Sequence, residues 1–152
     1  MSDAPWMRGL HADTGYLLYR LGLRSGSLFN ARLEQHGLRL RHYAVLRYLS
    51  AVENARQREL SDQLGYDPSA IVSLVDDLQR LHLVERRPDP TDRRNRIVVL
   101  TPAGQQLLPE SEQDGARVTD DLLAPLDAEE RRTLHALLLR IAEPVESAAA
   151  GG

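Results

Sequence analysis

The chain has 152 residues, in which 22 acidic residues face 19 basic ones, every basic one an arginine, and cysteine is absent. The lack of cysteine excludes a disulfide scaffold, a zinc ribbon, a thiol nucleophile and a thiol redox sensor. Apolar runs of at most four residues exclude a membrane-spanning helix. The first residues lack the basic and apolar regions of a signal peptide, so we predict a cytoplasmic globular protein with no membrane partner.

Charge is unevenly distributed along the chain. Residues 8–58 carry nine arginines and three acids, and residues 80–96 carry six arginines and three acids. Residues 97–152 reverse the balance, with four arginines and ten acids. A basic front and an acidic back suggest that an anionic partner binds one side only. The alternative is that these are ordinary solvated helix surfaces.

The first half of the chain predicts three helices. Leucine and alanine at helical spacing indicate a helix from Tyr16 to about Glu34, which ends before Gly37. A second helix is predicted over Arg41–Val52. A short third helix is predicted from Asn54 through Leu64, followed by Gly65 as its left-handed end.

Asp67-Pro68 is a strong start signal for a fourth helix, because an acid precedes a proline at the first helical position. Its buried face is one apolar stripe, formed by Ile71, Leu74, Val75, Leu78 and Leu81.

The pattern then changes to that of a β-hairpin. Residues 83–87 and 96–100 are short and β-prone, and the prolines and aspartates of residues 88–92 are turn formers. Thr101-Pro102 starts another helix, and Asp127 caps the last one.

The predicted order of elements is a short helix, a turn, a longer helix and a hairpin, which is the order in a winged helix-turn-helix. Its second helix fits the major groove of DNA, and its hairpin reaches the neighbouring groove or the backbone. The arginines of the hairpin suit phosphates or a narrow minor groove. Two alternatives stay open: the fourth helix is only an amphipathic core helix, and the arginine-rich turn is a solvated loop of ion pairs.

Specific residues resemble the MarR family of bacterial transcription regulators. Residues 92–101 match the wing signature D-x-R-x5-L-T of that family. Residues 74–78 and 83–86 are similar to its recognition helix and first wing strand. The resemblance covers about residues 10–145.

The resemblance implies a mainly α fold with a small β-hairpin wing, in which a winged helix-turn-helix is flanked by dimerisation helices. The implied division is an N-terminal dimerisation segment 1–37, a DNA-binding domain 38–101 and C-terminal dimerisation helices 102–146. Residues 147–152 are predicted to be a disordered tail.

The implied function is a regulator, most simply a repressor, which binds a pseudo-palindromic double-stranded DNA operator as a homodimer. In the family, the arginine matching Arg94 enters the minor groove and the acid matching Asp92 shapes the tip. Two departures are Val72-Ser73, where the family often has Thr-Arg, and His82, where it usually has glycine. The predicted DNA-contacting residues are Arg58, Ser69, Ala70, Ser73, Arg80, Arg86, Asp92, Arg93, Arg94 and Arg96.

The resemblance also implies a small phenolic or other aromatic effector that lowers DNA affinity. Five residues in segments that could line its pocket are Trp6, Tyr16, Tyr19, His42 and Tyr43. The alternative is that these aromatic residues fill a core or a dimer interface.

Nothing in the sequence predicts catalysis, a metal or a cofactor. The five histidines include no i, i+4 pair, and neither a phosphate-binding glycine loop nor a nucleophile elbow is present. We therefore predict no catalytic residues. The rival reading from another class is a helical interaction module whose winged domain binds a protein.

Overall fold

The structure is a computed structural model, and it describes residues 9–10 and 12–142. Trp6 of the predicted effector site, the end of the predicted C-terminal segment and the predicted tail 147–152 lie outside the described residues.

From Thr14 onward, the described chain has two helices joined by a tight turn. Helix α1 spans Thr14–Leu33, and the Asp13 side chain caps it by accepting a 3.1 Å hydrogen bond from the Tyr16 N–H. A 3-10 turn, Glu34–His36, follows and ends at Gly37, whose φ is +69°. The predicted left-handed glycine is therefore confirmed. Helix α2 spans Leu40–Val52.

The helix-turn-helix itself consists of α3, Gln57–Leu64, and α4, Pro68–Arg80. Gly65 between them has a φ of +67°, and Pro68 occupies the first turn of α4, as predicted. The Asp67 side chain makes no capping hydrogen bond, so proline and backbone geometry mark this helix start.

One element was predicted wrongly. Asn54 does not open a helix: Asn54–Ala55 form a short strand, β1, and helix α3 starts only at Gln57. The backbone of β1 pairs with Val99 and Val98, far along the chain, and no local pattern reveals such a partner.

The wing, residues 84–100, belongs to a three-stranded antiparallel sheet. Strand β2 is Val84–Pro88 and strand β3 is Arg96–Leu100, and the strand order is β1-β3-β2. In the register, Arg86 lies opposite Val98, and Arg87 lies opposite Ile97. Because side chains alternate along a strand, Arg86 and Val98 share the face that meets the core, whereas Arg87 and Ile97 share the outer face.

The hydrophobic core lies beneath the helix-turn-helix and the inner face of the sheet. Its fully buried large side chains are Leu33, Leu38, Val45, Leu46, Leu49, Leu60, Ile71, Val75, Leu78, Val84 and Val98. The predicted apolar stripe of α4 therefore holds the recognition helix in place, apart from its last member, Leu81, which is 39% exposed.

Two further helices complete the described chain. Helix α5 spans Pro102–Leu122, and helix α6 spans Ala128–Ala142. The Asp127 carboxylate accepts hydrogen bonds of 2.8 and 2.9 Å from the Glu129 and Glu130 N–H groups, which confirms the predicted cap. The chain divides into two compact units between Val118 and Thr119, within α5. None of the described helices is both long and apolar enough to cross a membrane.

Candidate nucleic-acid interface

The outer surface of α4 presents small side chains near its N-terminal end. Ser69 and Ser73 are exposed and Ala70 is half-buried, as the predicted reading positions require. Val72 is 44% exposed beside them, and it was missing from the prediction. An exposed branched apolar residue on the otherwise polar face of the helix was the signal that could have identified it, because an apolar side chain can contact the methyl group of thymine.

The wing tip, residues 91–95, is an ordered turn built on Asp92. Its carboxylate accepts a 3.1 Å hydrogen bond from the Arg94 N–H and a 2.9 Å hydrogen bond from the Asn95 side chain. Arg93, Arg94 and Arg96 are exposed, and within the described part of the chain they have no ion-pair partner. Two arginines of the tip and Arg96 at the start of β3 are therefore presented, next to the single carboxylate of Asp92, on a defined backbone.

The base of the wing is tied to the helix-turn-helix by a pair that sequence reasoning missed. Asp89 is buried and accepts two hydrogen bonds from Thr91, and Arg56 donates to its other oxygen at 2.9 and 2.6 Å. The Thr91 hydrogen bonds and the Arg56 guanidinium hold the pKa of Asp89 far below its usual range. The same carboxylate raises the pKa of Arg56.

Arg86 is engaged inside the protein by all three of its guanidinium nitrogens. Nε donates to Gln57 Oε1 and Nη1 to Gln79 Oε1, both at 2.9 Å, and Nη2 lies 2.7 Å from Asp76 Oδ1. One side chain of β2 therefore joins the start of α3 to the second half of α4. From the sequence, Arg86 is predicted to contact DNA like the other arginines of the wing, because its contacts with these partners depend on the fold.

The two remaining predicted arginines are exposed and weakly paired. Arg58 on α3 lies 3.9 Å from Asp62, and Arg80 at the end of α4 pairs with Asp77. Exposed pairs of this kind exchange partners at little cost, so both guanidinium groups are available to a phosphate.

His42 connects α2 to the recognition helix. Its Nδ1 accepts a 3.0 Å hydrogen bond from the Arg39 N–H, and its Nε2 lies 3.3 Å from Asp77 Oδ2. Because Nδ1 accepts from a backbone N–H, Nε2 is the ring nitrogen that can donate to the Asp77 carboxylate.

The predicted effector residues do not form one cluster within a protomer. Tyr43 packs edge-on against Phe29, with ring centroids 5.0 Å apart, and burial raises its pKa. Tyr16 lies thirteen residues before Phe29 on α1, about 20 Å along the axis at 1.5 Å per residue. Tyr19 is 63% exposed. The structure therefore separates Tyr16 and Tyr19, in the first half of α1, from the part of α1 where Phe29 contacts Tyr43.

No group of three or more His, Asp or Glu side chains suited to a metal ion occurs in the region that the structure describes.

Comparisons with known proteins agree with this geometry. A sequence model of the MarR family matches residues 36–95. A protein named as a transcriptional regulator for the hcr operon of Thauera aromatica is 35% identical over 99 residues, which are 65% of this chain and 60% of that protein.

Two solved structures are similar along most of their length. CouR from Rhodococcus jostii RHA1, bound to p-coumaroyl-CoA, is 33% identical with a TM-score of 0.77, covering 94% of this chain and 97% of that one. A mutant of E. coli MarR complexed with operator DNA is 27% identical with a TM-score of 0.75, covering 84% and 92%.

The fold and the arginine-bearing wing define a winged helix-turn-helix transcriptional regulator, which confirms the predicted fold class. A MarR-family regulator from Rhodococcus sp. RHA1 is 31% identical and is covered to 99%, so the chain belongs to the MarR family, whose members bind DNA and act as dimers.

Proposed function

We propose that the protein is a cytoplasmic repressor without enzymatic activity, which binds a pseudo-palindromic operator as a homodimer. The observation that carries the proposal is an ordered wing whose Arg93, Arg94 and Arg96 have no ion-pair partner among the described residues, beside a recognition helix with small exposed side chains. A dimer on its operator represses by occupying DNA that RNA polymerase needs.

Each element has a distinct part in the proposed complex. Ser69, Ala70, Val72 and Ser73 meet base edges in the major groove, where hydroxyl groups accept or donate and apolar groups favour thymine. The two recognition helices lie in successive major grooves, about 10 base pairs apart.

The wing supplies the electrostatic contacts. Arg94 enters the minor groove, while Arg93 and Arg96 contact phosphates together with Arg58 and Arg80. Because α4 itself offers no free Arg, Asn or Gln near its N-terminal end, specificity rests largely on DNA shape.

Arg86 has a different role in this proposal from that of the wing-tip arginines. Since its three nitrogens already bond to Gln57, Gln79 and Asp76, it positions the wing against α4. Asp92 likewise acts through the backbone of the tip that it shapes.

A small aromatic effector completes the proposal. CouR, a relative of known structure, is bound to p-coumaroyl-CoA, whose coumaroyl group is aromatic. We place the contact at the Tyr43 end of α2, because the neighbouring His42 touches Asp77 of the recognition helix. An effector that favours a displaced α4 shifts the population away from the DNA-binding state. Tyr16, Tyr19 and Trp6 join this site only if a partner protomer brings them there.

The test is binding to the DNA that flanks the gene, measured by fluorescence anisotropy for Arg94→Ala and for Arg132→Ala, an exposed arginine on α6. We expect Arg94→Ala to weaken binding by about tenfold or more, with an unchanged melting temperature, and Arg132→Ala to leave binding intact. Unchanged affinity in Arg94→Ala would remove Arg94 from the mechanism.

A salt titration distinguishes operator binding from the rival function, a module that binds a protein. A dimer with 6 to 10 phosphate contacts loses roughly 10³ to 10⁵ in affinity between about 50 and 200 mM salt. Weak binding that is equal on any DNA would favour the protein-interaction module.

A further inference from the structure

A cavity lies behind the wing, on the outer face of the sheet. Its volume is about 780 Å³, and it is bounded by the C-terminal end of α2, the sheet and the first turns of α5. Cavities of roughly 300–1,000 Å³ accommodate small organic ligands. None of the DNA-reading positions and none of the predicted effector residues lines it.

The inner wall of the cavity is apolar. Ile97, which is buried, and Val99, which is half-buried, come from β3, and the buried side chains of Leu49 from α2 and Leu108 from α5 lie behind them. Strand β3 is apolar on both faces although the wing is a surface hairpin: Val98 and Leu100 face the core, and Ile97 and Val99 lie on the other face. The core therefore explains one face of β3, and the cavity is what the other face lines.

The rim of the cavity is polar and carries one uncompensated charge. The side-chain amides of Asn54 and Gln105 and the carboxylate of Glu53 have no hydrogen-bond or ion-pair partner in the described part of the chain. Arg87, also at the rim, is neutralised by its ion pair with Glu85. The site therefore favours a positive ligand over a negative one.

Backbone strain occurs at the same rim. Glu53 has a φ of +67° and a ψ of −39°, and among the described residues it shares positive φ only with His82 and two glycines. A side chain in this region costs free energy, and such residues concentrate at functional sites. The strained residue, Glu53, is thus the one whose carboxylate supplies the charge at the rim of the cavity.

We propose that this cavity binds a small organic cation with an apolar ring body. The ring packs on Ile97 and Val99, the cationic group pairs with Glu53, and the amides of Asn54 and Gln105 bond to polar substituents. Binding itself is independent of the proposed operator function. Only the effect of this ligand on DNA affinity rests on the proposed operator function. The bound ligand would contact Pro88 and Pro90, which flank Asp89, the residue that ties the wing to Arg56.

Isoleucine δ1-methyl NMR provides a direct test. The chain has only three isoleucines, and Ile97 lines the cavity while Ile71 is in the core and Ile141 is on α6. We expect 1-naphthylmethylammonium to shift the Ile97 signal saturably and to leave the other two unchanged. We expect 1-naphthoate, which has the same ring system and the opposite charge, to bind at least about fivefold more weakly.

Two neighbouring glutamines supply a matched control. Both are exposed on α5, but only Gln105 lines the cavity, so Gln105→Trp should abolish the Ile97 shift and Gln106→Trp should preserve it. Glu53→Gln should remove the preference for the cation. The proposal is overturned if the cation fails to shift Ile97, if all three signals move together, if Gln105→Trp has no effect, or if naphthoate binds more tightly.

Operator affinity measured with and without the cation is a separate experiment. Loss of the Ile97 shift refutes the cavity site, whereas loss of operator binding in the absence of any ligand refutes the proposed function.

Discussion

Gly104 lies where the first turn of α5 passes the backbone that precedes β2. A Cβ at this position would lie 2.2 Å from the Leu83 carbonyl oxygen, which already accepts a 3.1 Å hydrogen bond from the Thr101 N–H. Neither the carbonyl nor the helix can move without breaking that bond. At the scale of a single residue, this close approach sets how α5 leaves the wing.

Gly104→Ala should therefore lower the free energy of unfolding by about 1–3 kcal/mol, or more if the chain cannot relax. Gly22→Ala is the control, because a Cβ there meets no atom within 4 Å and alanine favours helix by about 1 kcal/mol. Urea denaturation of both variants measures the difference. Equal stability of the two would contradict the close approach.

The Asp89 carboxylate gives the wing a dependence on pH. Its folded-state pKa lies below the ordinary value of 3.8, so it stabilises the fold above that pH and loses its contribution as the pH falls further. Asp89→Asn should lower the melting temperature at about pH 7, and the gap from wild type should narrow at about pH 3.

The exposed Asp62→Asn should show little difference from wild type at either pH. A gap for Asp89→Asn that is constant with pH would show that the carboxylate charge is irrelevant to wing stability.

At the scale of elements, the recognition helix is held by polar contacts as well as by its apolar stripe. Arg86 joins it to β2 and α3, and His42 joins it to α2. The stripe keeps α4 on the core, whereas the polar contacts fix its rotation and its position relative to the wing. Both matter for DNA, since base contacts require side chains within hydrogen-bond distance of their partners.

Arg86→Ala should weaken operator binding and increase amide hydrogen exchange in the second half of α4, because Gln79 and Asp76 lose their common partner. Arg87→Ala is the matched control: among the described residues Arg87 forms an ion pair with Glu85 alone, on the outer face, so its loss should leave exchange in α4 unchanged. Weaker binding of Arg86→Ala without altered exchange would instead indicate a direct DNA contact.

At the scale of the whole molecule, large apolar side chains remain exposed on two of the helices. Helix α1 exposes Leu18, Leu21 and Leu23, and, separately, helix α6 exposes Leu139 and Ile141, the last at 70%. Members of the MarR family act as dimers, and association would remove such surface from water.

Ile141→Arg should therefore shift sedimentation from dimer toward monomer at micromolar concentration and weaken operator binding along with it. Val72→Arg, which replaces an exposed apolar residue on α4, should leave the sedimentation coefficient unchanged. A dimer that resists Ile141→Arg would place the interface elsewhere.

Local signals predicted much of this molecule because their physical causes are local. Gly37 and Gly65 mark helix ends since left-handed geometry favours glycine, and Asp127 caps α6 through its own neighbours. The helix-turn-helix and the wing follow from periodicity and turn chemistry. The free arginines of the tip were likewise visible, because a solvent-exposed turn needs no distant partner.

Only the tertiary structure decided what depends on residues far apart in the chain. The strand at Asn54 exists because Val99 pairs with it, and Arg56 and Arg86 have partners within the protein because Asp89 and Gln57 lie beside them. The cavity behind the wing arises in the same way. The sequence by itself determined the helices, the hairpin, their order and the charge of the wing, but not strand β1. Which arginines have an ion-pair partner depends on the packing, because an ion pair requires the two groups to be close in space and not in sequence.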